Sequence, residues 1–256
     1  EYPCRATSPP YAGLQRITYQ ANVILSNANF SDMQGYYAVF QDYTRNTSVL
    51  SNISGRRGFT AYAEFPRVNT SGTPFINSNP IFSNLSTLNI CNGQTINLDF
   101  SASDADGDQL LYSLVDLYDA LSIPRNPRPA AIPPPLPVNY PASAPLIVPW
   151  KNGFSANNAI PSDVGEPLSI NSSTGELRVN AFKKGVYAFA VKCEEFRGGV
   201  KIGEVRREIQ LYVEECQSVV ANPLVRLPLA GGFYQEGEVI TINADDFPEN
   251  NIVLPI

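Results

Sequence analysis

The stretch that decides the fold is Thr95-Ile96-Asn97-Leu98-Asp99-Phe100-Ser101-Ala102-Ser103-Asp104-Ala105-Asp106-Gly107-Asp108-Gln109-Leu110-Leu111-Tyr112-Ser113-Leu114. It reads as strand, acidic turn, strand. Ile96, Leu98 and Phe100 alternate with Asn97, Asp99 and Ser101, the period-two pattern of a half-buried strand. Leu110 to Leu114 supply the second strand. Between them Asp104, Asp106 and Asp108 stand at every second position around Gly107. Three carboxylates so close repel one another unless a cation neutralises them. Hard oxygen donors in a Gly-containing turn suit Ca²⁺. The same residues also read as a solvated acidic turn, because Asp and Gly are ordinary turn residues. The loop is not an EF-hand: strands flank it, and no Glu stands at the twelfth position.

Outward from this hairpin, strands are expected near 86–91, 94–102, 110–116, 168–170, 176–180, 185–194 and 202–214. Asn92-Gly93 marks a tight turn between the first two. Ser172-Ser173-Thr174-Gly175 and Arg197-Gly198-Gly199 mark later ones. About seven short strands with such punctuation fit an immunoglobulin-like sandwich over residues 77–216. A Pro-rich insert, 124–161, interrupts it and carries Trp150, the only Trp of the chain. Proline cannot feed a sheet ladder, so this is a loop. It reads as a ligand-presenting loop or as a crossover packed on its own domain.

Residues 1–76 form a first β unit, with alternating stretches at 14–25, 35–43 and 58–65. Asn77-Ser78-Asn79-Pro80 looks like a junction, because Pro80 removes a donor and pushes Asn79 into an extended conformation. Residues 217–256 begin a third unit, in which Gly237 to Asp246 echoes the Gly93 to Phe100 stretch. The fold class expected is therefore all-β, as tandem sandwiches. The first and third units read as incomplete.

Composition narrows the function. The chain has 256 residues, a net charge of −6 and a pI near 4.8, against the basic face of a nucleic-acid binder. It contains no His, which removes His bases and His metal ligands together. No apolar run reaches the length of a membrane span. Glu1-Tyr2-Pro3-Cys4 lacks the charged start and apolar core of a signal peptide. There is no Gly-rich phosphate loop before a helix, and no Ser nucleophile has a His base. The chain is read as non-enzymatic. Asn29, Asn46, Asn52, Asn69, Asn84 and Asn171 head N-x-Ser/Thr sequons, which are glycan acceptors or chance occurrences. Tyr36, Tyr37, Tyr43, Tyr140, Trp150 and Phe154 form a carbohydrate-binding platform or, where they alternate in strands, core. A carbohydrate-binding accessory module is the alternative function.

Several runs carry a family resemblance. They are Asn77-Ser78-Asn79-Pro80-Ile81-Phe82, Ile90-Cys91-Asn92-Gly93-Gln94, Ser103 to Asp108, Ile170 to Leu177, and Val191 to Arg207. The set resembles the large cell-surface proteins of Bacteroidetes that carry tandem PKD-like and cadherin-like domains. The likeness is most specific over 77–216. It implies type IX secretion, display at or release from the cell surface, and a role in adhesion or gliding. The partners implied are neighbouring domains, the export machinery, and surface glycans or another cell-surface protein. The first unit departs from the pattern: Gln41 to Asn46 stand where related proteins carry a Cys-rich segment. The junction also resembles the cadherin linker, where Asn side chains ligate Ca²⁺. In such a sandwich the turns after the second and sixth strands share a pole. Asp104, Asp106, Asp108, Asn77, Asn79 and one of Glu194 and Glu195 are therefore expected to converge on calcium.

The four cysteines are too far apart for a paired zinc site, so they are read as disulfides. In hairpin register Cys193 and Cys216 are displaced by roughly 12 residues, about 40 Å, well beyond disulfide reach. Cys91 ends the first strand and Cys216 the last, and these strands run parallel to one pole. Cys91–Cys216 is the expected pair, leaving Cys4 to reach Cys193.

Overall fold

The computed structural model describes most of residues 18–120 and all of 146–216. The chain divides into two compact units, Glu1–Cys216 and Gln217–Ile256. The second, where a third sandwich is expected, lies outside the described residues.

Thirteen strands are described: β1 Tyr36–Asp42, β2 Phe59–Phe65, β3 Asn69–Thr70, β4 Thr73–Pro74, β5 Ile81–Phe82, β6 Asn89–Cys91, β7 Thr95–Asp99, β8 Ala102–Ser103, β9 Gln109–Val115, β10 Ser169–Ile170, β11 Glu176–Asn180, β12 Gly185–Arg197 and β13 Val200–Glu214. The larger sheet runs β1-β2-β13-β12-β9, with β6 parallel to the end of β13. The smaller runs β10-β11-β7. The fold is an all-β sandwich.

Strand alternation builds the core. Leu98 of β7 and Leu177 and Val179 of β11 face Tyr187, Phe189, Val191 and Cys193 of β12 and Leu211 and Val213 of β13. Phe100 meets Phe189 edge-on at 5.6 Å between ring centres. The even-numbered residues of β12 turn the other way. Ala188 and Ala190 join Leu50, Ile53, Leu117 and Val148 in a second cluster. β12 is thus buried on both faces over much of its length, which explains its near-continuous apolar sequence.

The second cluster bears on the domain boundary expected at residue 77. β2 pairs with β13 at Glu64↔Glu204 and Ala63↔Val205. Leu50 and Ile53 fill the outer face of β12. The expected division at 77 therefore falls inside the first compact unit. The reason is the length of β13, which offers a long edge that local periodicity cannot assign a partner. The stretch expected as a strand at 14–25 lies largely outside the described residues, and Asn22–Leu25 are irregular.

Residues 121–145, which include much of the Pro-rich insert 124–161, are also outside them. Within 146–161 the insert is anchored at points: Val148, Ala159 and Ile160 are fully buried, while Leu146 and Ile147 stay exposed. Trp150 bridges to Ile53 and donates to Asp116 Oδ1 at 2.8 Å. For this half, the packed crossover is the reading that holds.

Cys91 and Cys216 are joined, with Cα atoms 5.3 Å apart. β6 running parallel to β13, with Cys91 opposite Glu214, puts them there. Cys193 lies opposite Val205, which excludes it as a partner for Cys216. The expected Cys4–Cys193 bridge is not formed. Cys193 is a free, buried thiol on the core face of β12, and burial pushes its pKa up to about 12. Cys4 lies outside the described residues.

Candidate metal centre

The β8–β9 connection is shaped by Asp104. Its Oδ1 accepts the backbone N–H groups of Asp106 at 3.0 Å and Asp108 at 2.9 Å. Gly107 sits at φ 79°, a conformation that side-chain-bearing residues rarely adopt. The result is a tight loop with Asp104, Asp106 and Asp108 on one side. β12 supplies the fourth carboxylate. Glu195 continues the odd-numbered face that buries Val191 and Cys193, and it is fully buried. Its neighbour across the hairpin is Gly203. A Cβ there would stand 3.0 Å from Glu195 Oε2 and 2.9 Å from the Glu64 carbonyl oxygen. Gly203 therefore leaves the space in which the carboxylate lies.

Asp104, Asp106, Asp108 and Glu195 each bring one oxygen to within 4.8 Å of the others. Two buried oxygens of the cluster, Asp104 Oδ2 and Glu195 Oε1, have no hydrogen-bond partner. An unpaired buried carboxylate oxygen is costly. A cation with oxygen preference satisfies both at once, so the donor set fits a hard divalent ion.

The remaining contacts tie a strap, Phe75–Ser78, to this point. Asn77 Nδ2 donates to Glu195 Oε2 at 3.0 Å. The Ser78 N–H donates to Asp106 Oδ2 at 2.5 Å. Arg197, the last residue of β12, forks onto Asp108 at 2.8 and 2.6 Å. The same guanidinium reaches the Ile76 carbonyl at 3.0 Å and Asn77 Oδ1 at 2.7 Å, and lies 5.2 Å above the Phe75 ring.

The electrostatics divide the two neighbouring acids. Arg197 holds the Asp108 carboxyl below its usual range. Burial, reinforced by Asp108 and Asp104, raises Glu195 to about 7 despite the Asn77 bond. Burial and like charge shift a carboxyl in the same direction.

Of the seven expected ligands, the structure gathers Asp104, Asp106, Asp108 and Glu195, with Asn77 bonded to Glu195. Asn79 and Glu194 are not with them. Asn79 Nδ2 turns to the Glu64 carbonyl at 2.7 Å. Glu194 points to the opposite face of β12, where Lys192 Nζ lies at 3.0 Å and Lys201 Nζ at 3.6 Å. Alternation separates the two glutamates: Glu195 shares parity with core residues Val191 and Cys193, and Glu194 does not. Arg197 was missed by sequence reasoning. No local spacing links position 197 to 108, although a basic residue flanking the β12–β13 turn was visible.

The candidate aromatic platform is dispersed. Tyr36 stacks on Phe65, Tyr37 on Tyr62, and Phe154 packs near Tyr187. Trp150 is held by Asp116. Tyr43 and Tyr140 lie outside the described residues. Among the sequons, Asn52 is fully buried, which rules it out as a glycan acceptor. No family model and no curated protein matches the chain.

Proposed function

We propose that this chain is a non-catalytic segment of an adhesin-like multidomain protein, displayed on or released from the cell surface, and ordered by calcium. The observation that carries the calcium reading is Glu195: a buried carboxylate with one unpaired oxygen, set beside the Asp104 loop. Asp104, Asp106, Asp108 and Glu195 would hold the ion, which would neutralise their mutual repulsion. The role is mechanical because each of these side chains also grips the protein's own chain. Asp104 grips its loop, Asp106 the Ser78 backbone, Asp108 the Arg197 fork and Glu195 the Asn77 amide. Calcium here would fasten the strap to the end of the sandwich.

Type IX export, a place in a longer surface protein and an adhesive role rest on the resemblance carried by residues 77–216. The partners proposed are neighbouring domains, the export machinery, and a surface glycan or cell-surface protein as the adhesive target. Titration calorimetry of the full chain tests the calcium reading. Binding in the range typical of extracellular modules, roughly 10⁻⁴–10⁻³ M, is expected. No heat of binding at millimolar calcium would overturn it.

A further inference from the structure

On the cation-binding reading above, we propose that Arg197 is a built-in competitor for the site, its guanidinium and a divalent cation contending for the same Asp108 carboxylate. Asp104 Oδ2 and Glu195 Oε1 have no donor and are open to an ion at once. Asp108 is different. Both its oxygens are engaged by the Arg197 fork, at 2.8 and 2.6 Å. Its side chain is only 5% exposed, so it has little room to swing away. The same guanidinium nitrogen also lies 3.7 Å from Asp106 Oδ2. A cation drawn in by Asp104 and Glu195 must therefore take its Asp106 and Asp108 oxygens in the presence of a fixed positive charge.

That charge is tethered. The Ile76 carbonyl, Asn77 Oδ1 and the Phe75 ring hold Arg197 independently of Asp108. Losing Asp108 does not release the guanidinium to solvent, so its repulsion persists when the ion is bound. Arg197 sets the affinity down into a range where the ambient cation level decides occupancy. It also keeps the strap fastened when that level is low.

The test is calcium titration of the full chain carrying Arg197→Met, which keeps an apolar stem on Phe75, beside Arg197→Lys, which keeps the charge. Removing a unit charge a few ångström from the ion predicts binding about tenfold tighter, or more, in Arg197→Met. Arg197→Lys stays within roughly threefold of the natural chain on the same electrostatic ground. Arg197→Gln, with an amide donor for Asn77, carries the Arg197→Met expectation if that variant does not fold. Calcium binding that is unchanged or weaker in the neutral variants overturns the competition and leaves the site standing. Calcium binding by none of the chains overturns both.

Discussion

Glu195 holds a position where strand alternation points a carboxylate into the core. Val191 and Cys193 precede it on that face, and only Gly203 opposite leaves it room. Its pKa, raised by burial to about 7, fixes a sign. The protonated form is favoured in the folded chain. The resulting stability is full below the ordinary carboxyl range and is lost as pH rises through about 7. Asp108 has the opposite sign: Arg197 holds it low, so its contribution is lost only as pH falls below the usual carboxylate range. In chelator, the thermal midpoint of the natural chain should therefore fall relative to Glu195→Gln between pH 5 and 8. Calcium should raise the midpoint more at pH 8 than at pH 5, because the ion needs the ionised carboxylate. Parallel pH profiles for the two chains would contradict this. The three aspartates were legible in the sequence because their spacing around Gly107 is local. The sequence left the choice between Glu194 and Glu195 open; the structure makes it through the parity that Glu195 shares with the buried Val191 and Cys193. Arg197 was not legible, since its pairing with Asp108 joins residues 89 positions apart.

At the scale of elements, residues 50–53 extend the sheet where β9 stops. β9 pairs with β12 only as far as Ala190. Beyond it, the Ser51 N–H donates to the Val186 carbonyl at 2.7 Å. The Asn52 amide then takes over from backbone. Its Nδ2 donates to the Ala188 carbonyl at 2.6 Å and the Ala159 carbonyl at 2.9 Å, and its Oδ1 accepts from the Ala188 N–H at 3.1 Å. Asn52→Ala strands these buried groups and should cost about 2–4 kcal/mol in urea unfolding. A change below about 0.5 kcal/mol would contradict the role. Arg45 makes a comparable tie, forking onto Glu208 at 2.6 Å twice and reaching the Tyr118 carbonyl at 2.9 Å. With side chains 1% and 9% exposed, this is a buried pair. Arg45→Ala should cost about 3–5 kcal/mol, because it leaves the buried Glu208 carboxyl without its partner. Neither tie was visible in the sequence. Asn52 read as a sequon, and nothing local marked Arg45, since its bond to Glu208 and those of Asn52 each join residues more than a hundred positions apart. The strands of 77–216 were visible, because period-two alternation and Gly-marked turns are local signals.

At the scale of the molecule, the expected boundary at residue 77 now marks a strap across one compact unit. Two devices hold that unit's ends. The Cys91–Cys216 disulfide closes a loop with a sequence separation of 125 at the end of β13. Its removal by Cys91→Ser with Cys216→Ser should cost about 2–4 kcal/mol, read as a lowered denaturation midpoint with a steeper slope, because the denatured chain without the cross-link exposes more surface. At the other end, the carboxylate cluster and Arg197 fasten Phe75–Ser78 to the β8–β9 loop and β12. The disulfide was legible because strand direction and reach settle it. The joining of residues 1–76 to the sandwich was not, because it rests on the long edge and outer face of β12 and β13.

Hydrogen–deuterium exchange of the full chain, with calcium and with chelator, tests the central claim most directly. Calcium should slow amide exchange at residues 76–78 and 104–108, and should leave both segments unchanged in a chain carrying Asp104→Asn and Glu195→Gln. Identical exchange of these segments in calcium and chelator would contradict the account.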